Sequence, residues 1–198
     1  MTYIKICGIK TEDQALAAAE AGADFIGMVF TASPRQITPA AGKKIVAALK
    51  KTYPNVKTVG VFVNISAARI RNIVDSCKLD WAQMHGNEPW QLCQELDRPV
   101  IKVARVARNY SPGIICENFL LGSKILAGRP YLFMLDTSEK NKFGGTGKAF
   151  DWQQARVISE RFAVIVAGGL DPDNVSAAIE MIAPWGVDVS SGVETKGV

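Results

Sequence analysis

Tyr3-Ile4-Lys5-Ile6-Cys7-Gly8 is a short strand-like run that ends in a cysteine followed by a glycine. Because successive side chains on a β-strand point to opposite faces, the odd-numbered residues of this run face one side and the two isoleucines face the other. Cys7 therefore shares a face with Lys5, at the point where the strand gives way to a loop.

The rest of the chain alternates between helix-like and strand-like segments. A threonine cap and an acidic first turn open the segment after the first strand, and a dense apolar run of strand length follows it. The same alternation predicts further strands at 24–30, 57–63, 79–84, 99–106, 131–135, 163–167 and 187–189, and helices at 11–21, 39–51, 65–77, 88–96, 117–126, 151–161 and 172–182. The helix at 117–126 is the least well specified, because Pro112 and Gly113 interrupt the segment in which it lies.

Eight strands that alternate with seven helices indicate β-α units and an all-parallel sheet. An open doubly wound sheet uses about five strands and concentrates its ligand loops at one switch point. Here distinctive loops follow six of the strands, which favours a closed (β/α)8 barrel that gathers these loops at one face. We therefore predict one small barrel domain over residues 1–198, with the last outer helix missing.

Bulk composition limits the possible functions. The chain has 198 residues, is 48% hydrophobic, and carries a formal charge of +4 with no run of five basic residues, which suits a small anionic ligand better than nucleic acid. Four widely spaced cysteines without a CxxC pair, and a single histidine, argue against a zinc site. No signal peptide or membrane span is recognisable, so we expect a cytoplasmic protein with reduced thiols. The scattered surface charge and the lack of an obvious exposed apolar stripe favour a monomer.

Three clusters of small residues follow the last three strands. They are Gly145-Thr146-Gly147, Gly168-Gly169 and Ser190-Ser191-Gly192. Glycine lets a backbone approach a ligand closely, and barrels frequently bind phosphate at the loops after strands seven and eight. Each glycine could instead serve only to make a turn, but three such clusters at neighbouring strand ends favour a phosphate site.

Cys7 and Asp136 are the candidates for proton transfer. Asp136 ends an apolar strand and could simply cap the next loop, and Cys7 could be a small buried hydrophobe. If the first and sixth strands lie on opposite sides of an eight-stranded ring, however, the two side chains face each other across the mouth, where one could remove a proton and the other supply one. Lys5, on the same face as Cys7, could help to generate the thiolate.

Three further side chains could support the site. Gln83 and His85 share one face of the fourth strand and point inward if Cys7 does, although a histidine before a glycine is often structural. Arg35, in the loop after the second strand, is either an ordinary solvated charge or a fork for a substrate carboxylate. The residues alone leave both alternatives open.

The ordered motifs of the chain closely resemble those of phosphoribosylanthranilate isomerase. They are Lys5-Ile6-Cys7-Gly8, Ser33-Pro34-Arg35, Gln83-Met84-His85-Gly86, Leu135-Asp136-Thr137, Gly144-Gly145-Thr146-Gly147, Ala167-Gly168-Gly169-Leu170 and Asp188-Val189-Ser190-Ser191-Gly192-Val193-Glu194. The resemblance spans nearly the whole chain. It implies a (β/α)8 barrel that catalyses an Amadori rearrangement of N-(5-phosphoribosyl)anthranilate in tryptophan biosynthesis.

The resemblance also implies roles for individual residues. Asp136 would be the general acid that opens the sugar ring to a Schiff base, and Cys7 would be the general base that takes the C2′ proton. Arg35 would hold the anthranilate carboxylate, and the three small-residue clusters would hold the phosphate. No cofactor is implied, because the imine itself serves as the electron sink.

The chain departs from the family pattern at its end. The family normally continues past Val198 with a lysine-aspartate pair and a last helix, and without that helix Ile4 and Ile6 on the outside of the first strand lose part of their cover. The alternative functions are a non-catalytic or inactive phosphosugar-binding barrel, and a barrel that acts on the histidine-pathway aminoaldose. Barrels of the histidine pathway generally resemble a pattern with two catalytic aspartates, whereas the first strand of this chain has Cys7.

Overall fold

A computed structural model describes residues 1–106, 111–137 and 152–194 as a closed barrel of eight parallel strands in sequence order. The strands are β1 (Tyr3–Cys7), β2 (Phe25–Val29), β3 (Lys57–Phe62), β4 (Trp81–Met84), β5 (Val100–Val106), β6 (Tyr131–Thr137), β7 (Val164–Ala167) and β8 (Gly186–Val189). The helices are α1 (Glu12–Glu20), α2 (Pro39–Thr52), α3 (Ala67–Cys77), α4 (Trp90–Glu95), α5 (Pro112–Ile125), α6 (Trp152–Ser159) and α7 (Val175–Ile182). The predicted (β/α)8 barrel is confirmed.

The barrel has an inner and an outer core. Alternate strand residues fill the interior, and the other strand residues pack against the ring of helices. At the amino-terminal end of the strands, Tyr3 stacks on Trp185 with ring centroids 4.2 Å apart, and Phe25 packs edge-on against Trp81 and Trp185. These aromatic rings cover that end of the barrel interior.

Local capping explains where several helices begin. The side chains of Thr11, Thr38 and Ser66 each accept a hydrogen bond from the backbone N–H three residues later. The fifth helix is present and ends at Ile125, but its predicted start was wrong, because α5 begins at Pro112 instead of at Glu117. Proline fixes φ near the helical value and its missing N–H is not needed in the first turn, so here it begins the helix that it was expected to interrupt.

The outer face of β1 is only partly covered. Ile4 is 39% exposed, and a groove of about 510 Å³ runs over it between α1 and the short turn Ser191–Val193. Between β8 and Glu194, where the description ends, that turn is the only helical element. The described residues therefore cover Ile4 only in part, whereas Ile6 is partly buried against the core.

The ring order corrects one expectation about the site. Going around the barrel the shorter way, β8 and β7 stand between β1 and β6, so these strands are not diametrically opposite. Cys7 and Asp136 are therefore three strand steps of eight apart around the mouth, so they face each other nearly but not directly.

Candidate active site

A cavity of about 370 Å³ opens at the carboxyl ends of the strands. Its lining includes most of the side chains singled out from the sequence, namely Cys7, Arg35, His85, Asp136, Gly168, Gly169, Ser190 and Ser191. Parallel strands deliver these residues to one place because every strand ends on the same face of a barrel. The mouth of the barrel is therefore the candidate active site.

Cys7 stands above a buried ion pair. Lys5 is 1% exposed and its Nζ lies 2.8 Å from Oδ1 of Asp188, on the neighbouring strand β8. Burial alone would lower the pKa of Lys5, but the Asp188 carboxylate and Cys7 outweigh it, so the pKa of Lys5 is raised. Lys5 is thus a positive charge fixed two residues below the Cys7 thiol, as its position on the same face of β1 predicts.

The thiol of Cys7 is not activated at rest. Burial raises the pKa of Cys7, and the nearby Lys5 ammonium opposes that rise without overcoming it. The thiol therefore stays protonated near neutral pH, and any reaction that uses the thiolate must supply further stabilisation.

Asp136 is held by a hydrogen-bonded chain of side chains. Its Oδ2 lies 2.8 Å from Nε2 of His85, and Nδ1 of the same ring lies 3.1 Å from the amide nitrogen of Gln83. Gln83 is fully buried, whereas Asp136 and His85 are about one-fifth exposed and reach the cavity. Sequence analysis placed Gln83 and His85 on an inward face, and the structure joins them to Asp136.

Arg35 is already engaged by a carboxylate. Its guanidinium makes a two-pronged contact with Glu194, in which Nη2 lies 2.7 Å from Oε2 and Nε donates to Oε1. The hydrogen bond from Arg35 holds the pKa of Glu194 below its usual range. The Arg35 fork therefore has the shape and position to bind a carboxylate at the edge of the mouth.

Gly8 makes room for Arg35. Its φ is +90°, and a Cβ built at this position would collide with Cδ of Arg35 and lie 3.1 Å from Oγ of Ser190. Gly8 is therefore required both by its left-handed backbone conformation and by the Arg35 side chain that packs against it.

Replacing Gly8 with alanine is expected to destabilise the fold by about 1–2 kcal/mol through backbone strain, and to displace Arg35 as well. Gly22→Ala is the matched control, because Gly22 has a φ of +99° with no atom within 4 Å of the built Cβ. Chemical denaturation should show a similar loss for both variants, while only Gly8→Ala should raise the KM. An unchanged KM for Gly8→Ala would contradict the placement of Arg35 beside Gly8.

The small-residue loops meet only in part. Gly168, Gly169, Ser190 and Ser191 line the cavity, whereas Gly192 does not line it and packs against the backbone of Leu170. Gly145, Thr146 and Gly147 lie outside the described residues. The loops after β7 and β8 thus converge at the mouth, and the contribution of the loop after β6 stays a prediction.

Three residues near the site were missed from the sequence. Asp188 pairs with Lys5, Glu194 binds Arg35, and Gly27 leaves the space beside Cys7, since a Cβ there would lie 2.7 Å from the Cys7 sulfur and 3.0 Å from Nζ of Lys5. Period-two alternation along β8 could have placed Asp188 inside. Nothing local to β2 or to the segment after β8 indicates the other two contacts.

Within the described ranges, no group of three metal-ligating side chains comes together, and no helix is long and apolar enough to cross a membrane.

The fold and the mouth together define a (β/α)8 barrel with a cysteine, a carboxylate and an arginine around one cavity. Comparison with known proteins makes this class specific. The family model described as N-(5'phosphoribosyl)anthranilate (PRA) isomerase matches residues 4–198, and the chain belongs to that family.

Individual relatives agree with this assignment. The N-(5'-phosphoribosyl)anthranilate isomerase of Dehalococcoides mccartyi is 44% identical over 198 residues, which are 100% of this chain and 90% of the relative. The crystal structure of the Thermotoga maritima isomerase is 36% identical, with a TM-score of 0.83 over 100% of this chain and 91% of that one. A second structure, a complex of phosphoribosyl anthranilate isomerase with reduced 1-(O-carboxyphenylamino)-1-deoxyribulose 5-phosphate, is 34% identical with a TM-score of 0.81. The match covers 100% of this chain and 91% of that one.

Proposed function

We propose that this chain isomerises N-(5'-phosphoribosyl)anthranilate, with Asp136 as general acid and Cys7 as general base. The observation that carries the proposal is that Cys7, Asp136 and Arg35 line one cavity at the mouth of the barrel. The family to which the chain belongs supports the overall reaction, which is a step of tryptophan biosynthesis. The roles of individual residues are those that the resemblance implies, and the positions of these residues around the cavity support them.

The reaction needs two proton transfers. In the first, Asp136 protonates the furanose ring oxygen, the C1′–O bond breaks, and the lone pair of the anthranilate nitrogen forms a cationic Schiff base. Before the second, the Cys7 thiol loses its own proton to solvent. The thiolate then takes the proton from C2′, and the electrons of that C–H bond form a C1′=C2′ double bond as the iminium is neutralised. The product leaves as an enol, and no external oxidant or reductant is used.

The positive charge of the iminium would lower the raised pKa of Cys7. Burial disfavours the thiolate, and of the nearby cations Lys5 and Arg35 only Lys5 is fully buried. Once ring opening has produced an iminium next to C2′, a second positive charge acts on the thiol and acidifies the C2′ proton at the same time. The first step therefore prepares the second, which is consistent with an acid and a base in one cavity.

Two anionic ends of the substrate have places to bind. Arg35 holds the Glu194 carboxylate in a two-pronged contact, and the substrate carboxylate would take the place of Glu194. We assign the phosphate to the loops that carry Gly168, Gly169, Ser190 and Ser191, which face the same cavity. The ligand of the solved relative carries both a carboxyphenyl group and a 5-phosphate, which is the pair of anions that such a site would take.

Two further properties belong to this proposal. We propose that the chain is a monomer, because its surface charge is scattered, although the isomerase of Thermotoga maritima is described as dimeric. We also propose that it works in the cytoplasm, where its four cysteines would remain reduced.

The direct test follows the loss of substrate anthranilate fluorescence with the wild-type protein and with Arg35→Lys. Wild type should turn over the substrate. Arg35→Lys should raise the KM about 10- to 100-fold, because lysine replaces a two-pronged contact with a single charge, and a hydrogen bond to a charged group contributes about 1.5–3 kcal/mol.

Arg98→Lys is the control, since Arg98 is exposed and pairs with Asp75 far from the mouth. A wild-type protein that binds a product analogue but does not turn over the substrate would support the non-catalytic phosphosugar-binding barrel instead. Turnover of the histidine-pathway aminoaldose at a similar rate would contradict the assigned specificity.

A further inference from the structure

Gln83 is the innermost member of the side-chain chain that ends at Asp136. Its amide nitrogen lies 3.1 Å from Nδ1 of His85 and 3.5 Å from the sulfur of Met134. The other ring nitrogen of His85, Nε2, lies 2.8 Å from Oδ2 of Asp136. Gln83 has an exposure of 0% and lies below the cavity, so it does not touch a substrate. Its position raises the question of what a buried amide does for the carboxyl group above it.

We propose that Gln83 is a positioning residue that holds His85 in the tautomer with its proton on Nε2. His85 then donates a hydrogen bond to Oδ2 of Asp136. The proton that Asp136 gives to the substrate is thereby kept on Oδ1, the oxygen that His85 does not hold. This inference rests on the acid role of Asp136 under the proposed function and adds the element that orients that acid.

The orientation of the amide follows from its surroundings. As placed, the NH₂ group has two acceptors, Nδ1 of His85 and the weaker sulfur of Met134, and Oε1 has no hydrogen-bond partner among the described residues. Rotating the amide by 180° would put Oε1 beside Nδ1, but would leave two N–H donors where Oε1 now has no partner. One unpaired carbonyl is better tolerated in the interior than an unpaired NH₂ group, so the amide donates to the ring.

A donor at Nδ1 decides the state of the ring. Nδ1 must then be the unprotonated nitrogen, and the proton of a neutral imidazole must be on Nε2, where it points at Oδ2 of Asp136. A proton on Nδ1 would place its N–H opposite the N–H of the Gln83 amide, so that two donors would face each other without an acceptor. His85 therefore does not take the proton of Asp136 through Nε2, and Asp136 remains the group that exchanges a proton with the substrate.

The chain offers an unusually clean measurement, because His85 is its only histidine. Protein labelled with ¹⁵N-histidine gives the signals of one imidazole, and long-range ¹H–¹⁵N correlation identifies the protonated nitrogen. In the wild-type protein near neutral pH, we expect a proton on Nε2 and none on Nδ1. A wild-type spectrum with the proton on Nδ1 would overturn the proposal.

Two variants separate positioning from packing. In Gln83→Glu, examined at a pH high enough to ionise the buried carboxyl group, the carboxylate can only accept, so Nδ1 should become protonated. The kcat should then fall about 10- to 100-fold with little change in KM, as for other partners that fix an imidazole. Gln83→Met keeps a side chain of similar length without a donor, so the two tautomers should mix and kcat should fall less. Gln94→Glu, the same change at an exposed position on α4, is expected to alter neither the spectrum nor the rate.

An unchanged tautomer in Gln83→Glu, or a wild-type kcat in a Gln83→Glu protein whose tautomer has switched, would overturn the proposal. The spectrum is read without substrate, so it is independent of whether the isomerisation occurs. The expected tautomer combined with full turnover by Asp136→Asn would refute the acid role, and with it the claim that the tautomer serves catalysis.

Discussion

Replacing Cys7 with alanine is expected to lower kcat by about 10²- to 10⁴-fold, the usual contribution of a positioned general base. The thiolate is the group proposed to take the C2′ proton, and alanine leaves nothing in its place. Fluorescence decay under saturating substrate measures the effect. The KM should change little, because Arg35 and the phosphate loops remain.

Cys116→Ala is the matched control. Cys116 is a buried free cysteine on α5, remote from the cavity, so its replacement removes a thiol and some packing but no proposed catalytic group. We expect Cys116→Ala to keep the wild-type kcat even if it unfolds more easily. Full activity of Cys7→Ala would exclude Cys7 as the base.

The pH dependence provides an independent test of the same role. Burial raises the pKa of Cys7, and the base is active only when it is deprotonated, so the thiolate fraction grows with pH below that pKa. Because the wild-type reaction also needs a protonated general acid, the rise should be clearest in Asp136→Asn, whose residual kcat/KM should increase toward alkaline pH by about tenfold per pH unit where Cys7 alone controls the rate. The residual activity of Cys7→Ala should lack that alkaline rise.

The parts of the site that follow strand periodicity could be predicted from the sequence. Alternation along β1 places Lys5 and Cys7 on the same face, and alternation along β4 does the same for Gln83 and His85. Because all strands of a parallel barrel end on one face, a polar residue at a strand terminus, such as Asp136, is directed to the mouth by topology alone.

The partners of these residues were not predictable, because they depend on closure of the ring. Lys5 and Asp188 are 183 positions apart and meet only because β8 returns to pair with β1. Arg35 and Glu194 join two loops that are 159 positions apart. No local pattern encodes such a contact, whereas the misplaced start of α5 was a local error, in which a proline at a first turn was read as an interruption.

Asp136→Asn is the second substitution expected to abolish most of the activity. Asparagine has nearly the same shape, and its carbonyl oxygen can still accept the hydrogen bond from Nε2 of His85, so the architecture of the mouth should survive. What is lost is the transferable proton. We expect kcat to fall by about 10²- to 10⁴-fold, with unfolding in denaturant close to that of the wild type.

Asp97→Asn, a change at an exposed position between α4 and β5, controls for the loss of one negative charge. It should leave both kcat and stability unchanged. Wild-type turnover by Asp136→Asn would remove Asp136 from the mechanism and return it to the loop-capping role that its sequence also allows.

Deuterium at C2′ of the substrate distinguishes the two losses. In Cys7→Ala the ring still opens with the help of Asp136, so cleavage of the C2′–H bond becomes the slow step and the isotope effect on kcat should be large. In Asp136→Asn ring opening becomes slow, so deuterium at C2′ should have almost no effect. If both variants gave the same isotope effect, one residue could not be the acid of the first step and the other the base of the second, because the two substitutions would be slowing the same event.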